Sequence, residues 1–289
     1  MNTIIKMQLR YLPKQKGGRL KNVATFCNAC DAMVSGDAVW NINRTLQSGE
    51  DAADESSIHV GLSDLIMKPV VIKLMKSGRP AIQEERIQRL FRIKPHPNIV
   101  QGICTFSCKD NPIRWRRRIQ APQPICMSND IDTTIVVQEF IERGSISNLG
   151  KSWPLELWIS ITQQLCFSAM EWYDTYGFLY GDWHYGNVLL DNTDDTQLVY
   201  KAFNIKWTLK NSAGVRPVLT DFSRSELRPN GDIAPWLLGT QLGYIWDMMY
   251  HECPNPRLLK ETQRMSIQIG EAEDIKTIII IIRSWLRAC

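Results

Sequence analysis

The chain has 289 residues, 44% hydrophobic and 22% charged, with a formal net charge of +4. This balance excludes wholesale disorder and leaves room for one large domain or two lobes sharing a cleft. A mildly basic surface suits a phosphate-bearing partner, but charge alone does not point to nucleic acid.

Residues 1–65 are polar and broken by Gly17-Gly18, Gly36, Gly49 and an acidic patch from Glu50 to Glu55, so strand signals there are weak. The N-terminus has no long apolar core followed by a cleavage site, which argues against a signal peptide. Cys27 and Cys30 form one close pair and Cys104 and Cys108 another. Four such thiolates are a possible zinc set, but the second spacing is loose, and the reading adopted is unrelated thiols in a reducing compartment.

Order improves at Pro69-Val70-Val71-Ile72-Lys73-Leu74, a β-branched run ending at the turn Ser77-Gly78-Arg79-Pro80. From Ala81 to Ile93, the apolar residues Ile82, Ile87, Leu90 and Phe91 predict a helix with one buried side, stopped by Pro95 and Pro97. Residues 99–107 and 133–141 read as strands. Between them, Arg114 to Arg118 with Trp115 form a basic-aromatic cluster, read as a solvated insertion rather than a nucleic-acid contact.

After Gly144 the pattern turns helical. Trp153 to Tyr176 carries Leu157, Ile161, Leu165, Ala169 and Trp172 at helical steps, with Pro154 in the first turn. A sharp loop, a short strand pair at Val188-Leu189-Leu190 and a long polar insertion follow, then Val218 to Phe222. The run Thr277 to Ile282 is too short to span a bilayer and reads as a buried strand or core helix. A soluble intracellular protein is the expectation, with oligomeric state left open.

Three segments carry chemistry. FLYGDWHYGNVLL, Phe178 to Leu190, sets Asp182 and Asn187 in a glycine-containing loop between apolar flanks. Metal-assisted phosphoryl transfer needs this pairing, one group to orient and deprotonate a hydroxyl and one to hold Mg²⁺. VLTDFS ends an apolar strand with Asp221, a second metal ligand. VVIK ends with Lys73, a cation for phosphates.

In order and spacing these segments resemble the eukaryotic protein-kinase superfamily over about residues 65–225. VVIK is similar to the family's strand lysine, KPHPNIV to the segment after its first helix, GDWHYGN to the catalytic loop and DFS to the metal-binding DFG. The resemblance implies an α+β, bilobal fold, with a β-rich N-lobe over 1–140 and a reduced helical C-lobe over 141–289. It implies ATP and Mg²⁺, with Asp182 as base, Asn187 and Asp221 as metal ligands and Lys73 on the phosphates. VVQEFIERGSI would be the hinge, with Gln138 as gatekeeper and Glu139, Phe140 and Ile141 beside the adenine. The helix glutamate pairing with Lys73 is Glu84 or Glu85; Glu85 leaves the more usual gap to HPNIV and is chosen. His184 either assists the γ-phosphate or supports the loop through hydrogen bonds.

The departures are specific. Of the glycine-rich phosphate loop, Val34 to Val39 (VSGDAV) is the best remnant. Gly181 stands where the family has arginine, Ser223 replaces the DFG glycine, and only 68 residues follow Asp221. Ala234-Pro235-Trp236 is a faint echo of the APE motif. GDWHYGN is also similar to the loop of aminoglycoside and choline phosphotransferases and of haspin-type kinases. The expected activity is serine/threonine protein phosphorylation on a protein substrate away from membranes, with a small-molecule phosphotransferase and a non-catalytic scaffold as alternatives.

Overall fold

The computed structural model describes residues 39–47, 57–63, 69–107, 114–117, 123–124, 133–149, 153–211, 213–228, 234–250 and 255–288. Its architecture is mixed α+β. The first half forms a seven-stranded sheet and the second half is mainly helical.

The sheet contains β1 (Val39–Gln47), β2 (Ser57–Ser63), β3 (Pro69–Lys76), β4 (Gly102–Ser107), β5 (Arg114–Arg117), β6 (Gln123–Pro124) and β7 (Thr133–Glu139), in the order β4-β7-β3-β2-β1-β5-β6. β1 and β2 arise from sequence whose strand signals are weak. They are held by antiparallel pairing, β1 on β2 and β2 on β3. The basic cluster contributes β5, which pairs in parallel with β1. β3 lies inside the sheet and is buried along most of its length, which suits its β-branched run. In this register Lys73 sits opposite Ile58 of β2 and Val136 of β7.

Helix α1 (Arg79–Ile93) starts with a proline in its first turn and lies against the sheet, where Arg92 donates to the Ile103 carbonyl of β4 at 3.2 Å. Its buried stripe is Ala81, Glu84, Ile87, Gln88 and Phe91. Ile82, expected on the buried side, is exposed, because the true stripe runs 84, 87, 88 and 91 with two polar members.

The helical half is organised by α2 (Leu155–Tyr176), the long helix expected from its periodicity, ended by Gly177 in the left-handed conformation. Pro154 caps this helix rather than lying in its first turn. The buried Trp158, Ile161, Leu165, Phe167 and Trp172 of α2 form the centre of the main core. Helices α3 (Pro235–Tyr250), α4 (Pro256–Gly270) and α5 (Ile275–Ala288) complete it. The Trp158 indole donates to the Met249 carbonyl of α3 at 2.8 Å. The isoleucine-rich run thus falls in a helix.

Between α2 and α3 lie β8 (Phe178–Leu179), β9 (Val188–Asn192), β10 (Gln197–Ala202), β11 (Ile205–Lys210), β12 (Val215–Leu219) and β13 (Glu226–Leu227). The long polar insertion is in fact the β10–β11 hairpin. Its inner row, Leu198, Tyr200, Ala202, Trp207 and Leu209, is buried in the main core while the alternate residues face water.

Residues 98–101 stitch the large sheet to the second half. Leu219 N–H donates to the Asn98 carbonyl and Val100 N–H to the Leu219 carbonyl, both at 2.9 Å, and Glu139 N–H donates to the Gln101 carbonyl at 2.9 Å. The fully buried Asn98 side chain donates to the Pro217 carbonyl at 2.8 Å and accepts from the Tyr200 hydroxyl at 3.0 Å. Asn98→Ala strands both partners in the core, so unfolding in urea should show a loss of about 2–4 kcal/mol. Tyr200→Phe should cost markedly less in that background than in the wild type, since its hydroxyl has already lost a partner.

Candidate active site

Lys73 is the hub. Its side chain leaves the buried strand β3 and reaches Asp221 Oδ1 at 2.7 Å and Glu84 Oε2 at 3.8 Å. Lys73 is 5% exposed and Glu84 0%. Glu85, chosen from the gap length, is exposed on the other side of α1, so the partner of Lys73 is Glu84. The physical reason is rotational: a helix turns about 100° per residue, and Glu84 shares the stripe of Ile87, Gln88 and Phe91.

Each charge is intelligible from its surroundings. Burial pushes the Lys73 ammonium down, but the Glu84 and Asp221 carboxylates outweigh it and hold its pKa above the ordinary 10.5. Burial drives the Glu84 carboxyl above its ordinary 4.5, although Lys73 and hydrogen bonds from Gln88 and the Phe222 N–H oppose the shift. Burial works upward on Asp221 too; there Lys73, together with Ser223, wins and holds the carboxyl below its ordinary 3.8.

Asp221 follows β12 in the left-handed region, at φ 59°. Aspartate tolerates this conformation better than most residues, and here Ser223 donates to Oδ1 through its hydroxyl at 2.8 Å and its N–H at 3.4 Å. The local bonds explain a serine at this position. They also make Asp221 part of a turn.

Asp182 is brought to the same end of the β9–β12 ladder. Val188 pairs with Leu219, and the Thr220 N–H donates to the Asn187 carbonyl at 3.1 Å. The Asn187 amide donates to Asp182 Oδ2 at 2.8 Å and to the Asp182 carbonyl at 3.2 Å. A carboxylate only accepts, so the amide orientation is set and its oxygen is left for a cation. His184 accepts from the Gly186 N–H at Nδ1, at 3.1 Å, which leaves the proton on Nε2, 3.4 Å from Asp182 Oδ2. Its side chain is 54% exposed.

The glycine before Asp182 has a steric cause. A Cβ on Gly181 would lie 2.0 Å from the Arg224 carbonyl oxygen, so the chain after Asp221 passes directly over position 181. The same crossing delivers a cation. Arg224 Nη1 lies 3.4 Å from Asp182 Oδ1, with the side chain 64% exposed. No arginine stands immediately before Asp182, yet one reaches it from the neighbouring loop.

Tyr180 supports both loops. Its hydroxyl donates to the Thr220 carbonyl at 2.6 Å, and its own backbone N–H and carbonyl are met by the Gln241 amide of α3. Burial, followed by the Asp221, Asp182 and Glu84 charges, holds the phenol protonated far above its usual range. Trp183 also donates to Gln241, at 3.0 Å.

The expected adenine-side residues are more enclosed. Ile141 is buried in the main core, and the Glu139 carboxylate accepts from the Gln101 N–H at 2.8 Å. Gln138 is buried and bonded to Gln88 of α1 and to Thr220. Gln88, Thr220, Tyr180, Arg224 and Gln241 were not singled out from sequence. For Gln88 and Gln241 the available signal was an amide within a buried helical stripe.

The donor types present are those a hard divalent cation takes: Asp221 Oδ2 receives no hydrogen bond from the described residues, and the Asn187 amide oxygen makes none. Among the described residues no group of three or more His, Cys, Asp and Glu side chains is placed to hold a metal ion. The VSGDAV remnant lies outside the described residues up to Ala38, as do Cys27, Cys30 and Cys108, while Cys104 is buried in β4. A cavity of about 220 Å³ between α3 and α4, lined by Trp246, Tyr250 and Ile267 among others, belongs to the helical half and touches none of these groups. No protein-family model matches the chain, and no curated protein matches it in sequence.

Lys73→Met should cost about 3–5 kcal/mol in urea unfolding at neutral pH, because the buried Glu84 carboxyl loses its cation and must either stay charged without compensation or take up a proton. Adding Glu84→Gln should return part of that loss. In Lys73→Met alone, the folded state retains a Glu84 proton that the unfolded chain releases. Stability must therefore fall as pH rises above 4.5, the unfolded value. The thermal midpoint of this variant, followed from about pH 5 to pH 8, should drop more than that of the double variant.

Proposed function

We propose that the protein is an ATP- and Mg²⁺-dependent phosphotransferase of the protein-kinase type, acting on serine or threonine hydroxyls of a protein. The observation that carries this reading is the convergence of Lys73, Glu84 and Asp221 beside the Asp182–Asn187 loop, from four separate stretches of chain. The bilobal arrangement proposed for the fold is supported by the sheet-rich first half, the helical second half and the single-strand connection after β7.

In this mechanism Lys73, fixed by its two carboxylates, binds phosphate oxygens of ATP. Asn187 and Asp221 would hold Mg²⁺, which neutralises phosphate charge when bound. Asp182 orients the acceptor hydroxyl and takes its proton as the hydroxyl oxygen attacks the γ-phosphorus. The bond from the γ-phosphorus to the bridging oxygen breaks, and its electron pair leaves with ADP. His184, which accepts at Nδ1 and presents Nε2 to Asp182, steadies that carboxylate and can donate to a transferring phosphoryl oxygen. Gln138, Glu139 and Ile141 border the adenine in this reading. No helix among the described residues is long and apolar enough to cross a membrane.

A second reading is favoured by one observation: both Asp182 oxygens are engaged, Oδ1 by Arg224 and Oδ2 by Asn187 and His184. A carboxylate used only for such contacts would belong to a nucleotide-binding scaffold without turnover.

Asp182→Asn separates the two. In the enzyme, transfer of radiolabelled γ-phosphate to a generic protein substrate should fall by about 10³-fold or more, with ATP affinity changed less than about threefold. Wild-type protein that is stabilised by ATP and Mg²⁺ in thermal shift yet transfers no phosphate to protein, aminoglycoside or choline would establish the scaffold instead.

A further inference from the structure

The ion pair that the proposed activity needs is tied down by a buried chain of amides and a hydroxyl behind it. Gln88, one helical turn after Glu84, donates through Nε2 to Glu84 Oε1 at 3.3 Å and to Gln138 Oε1 of β7 at 3.1 Å. Gln138 then donates through Nε2 to the Thr220 hydroxyl at 2.8 Å. Glu84 Oε2 accepts the Phe222 N–H, closing the circuit on the far side of Asp221. Three separate stretches of chain therefore meet in one network: α1, β7 and the segment from Thr220 to Phe222 that follows β12.

Its surroundings are close-fitting, although the buried Gln88 Oε1 has no hydrogen-bond partner among the described residues. Gln88 is 2% exposed, and a Cβ at Gly102 would lie 2.3 Å from its Oε1, so β4 gives up a side chain to admit the amide. Below the polar circuit stands an apolar column. Phe91 of α1 meets Phe178 edge-on at 5.3 Å, Phe178 meets Phe222 at 6.1 Å, and Phe222 meets Tyr180 at 6.0 Å. Such a column holds α1 near the loops, but apolar contact is non-directional and does not select which face of the helix looks at Lys73. Directional bonds at two residues one turn apart do select it.

We propose that Gln88, Gln138 and Thr220 form a latch that fixes the rotation and height of α1, so that Glu84 is seated on Lys73 in the resting protein with no modification or partner needed. These are positioning residues, and the role rests on the phosphotransferase reading for its catalytic consequence, though not for its structural one.

The test uses Thr220→Val, which keeps the shape of the side chain and removes the acceptor, beside Thr220→Ser, which keeps the acceptor. Gln138→Met serves as an independent break. Hydrogen exchange of the full chain should show amides 84–92 opening about tenfold faster in Thr220→Val and Gln138→Met than in Thr220→Ser or the wild type. In Thr220→Val kcat/KM for ATP should fall by about tenfold, and in Thr220→Ser it should stay near the wild-type value; Gln138→Met, which also lies beside the proposed adenine site, is read by exchange alone. Equal exchange rates in Thr220→Val and Thr220→Ser would overturn the latch whatever the kinetics. Altered exchange in a protein with no phosphate transfer would uphold the latch and reject the phosphotransferase reading.

Discussion

A lysine ammonium held between two carboxylates in the interior is the constraint from which the rest of the site follows. An isolated charge at this depth would neutralise by shifting its pKa, and a single pair would leave unmatched lone pairs. Lys73, Glu84 and Asp221 share the burden unequally. Glu84 is fully enclosed and needs donors, which it finds in Gln88 and the Phe222 backbone. Asp221 keeps access to water and with it one oxygen for a ligand. The placement of α1, the turn at Asp221 and the polar residues behind the strands all serve to keep these three groups together.

The parts of the molecule evident in the amino-acid order are those governed by local rules. The β-branched run before Lys73, the long periodicity of α2 and the glycine-bounded loop at Asp182 each carry their own signal over a few residues. What escaped depends on distant partners. β1 and β2 have weak strand character and exist because β3 pairs with β2 and β2 with β1. The β10–β11 hairpin read as a polar insertion because every second residue faces water, while Tyr200 and Trp207 in the alternate row are core.

Glu84 is the instructive case. Counting the gap to the next motif favoured Glu85, whereas marking only apolar residues on α1 put Ile82 on the buried side. Treating Glu84 and Gln88 as members of the stripe with Ile87 and Phe91 resolves both errors at once. A polar residue at a buried helical position has a partner elsewhere, and here that partner is 11 residues upstream on β3. Arg224 follows the same logic from the other side, since a cation missing beside Asp182 in the chain is returned by a loop 42 residues further on.

The bare position at 181 has a mechanical corollary. The crossing above it is backbone against backbone, so no rotamer change can relieve or loosen it. The Ser225 hydroxyl, accepting from the Gly181 N–H at 3.4 Å, fastens the same crossing. The two acidic loops are consequently joined at this crossing, where one main chain rests on the other with no side chain between them.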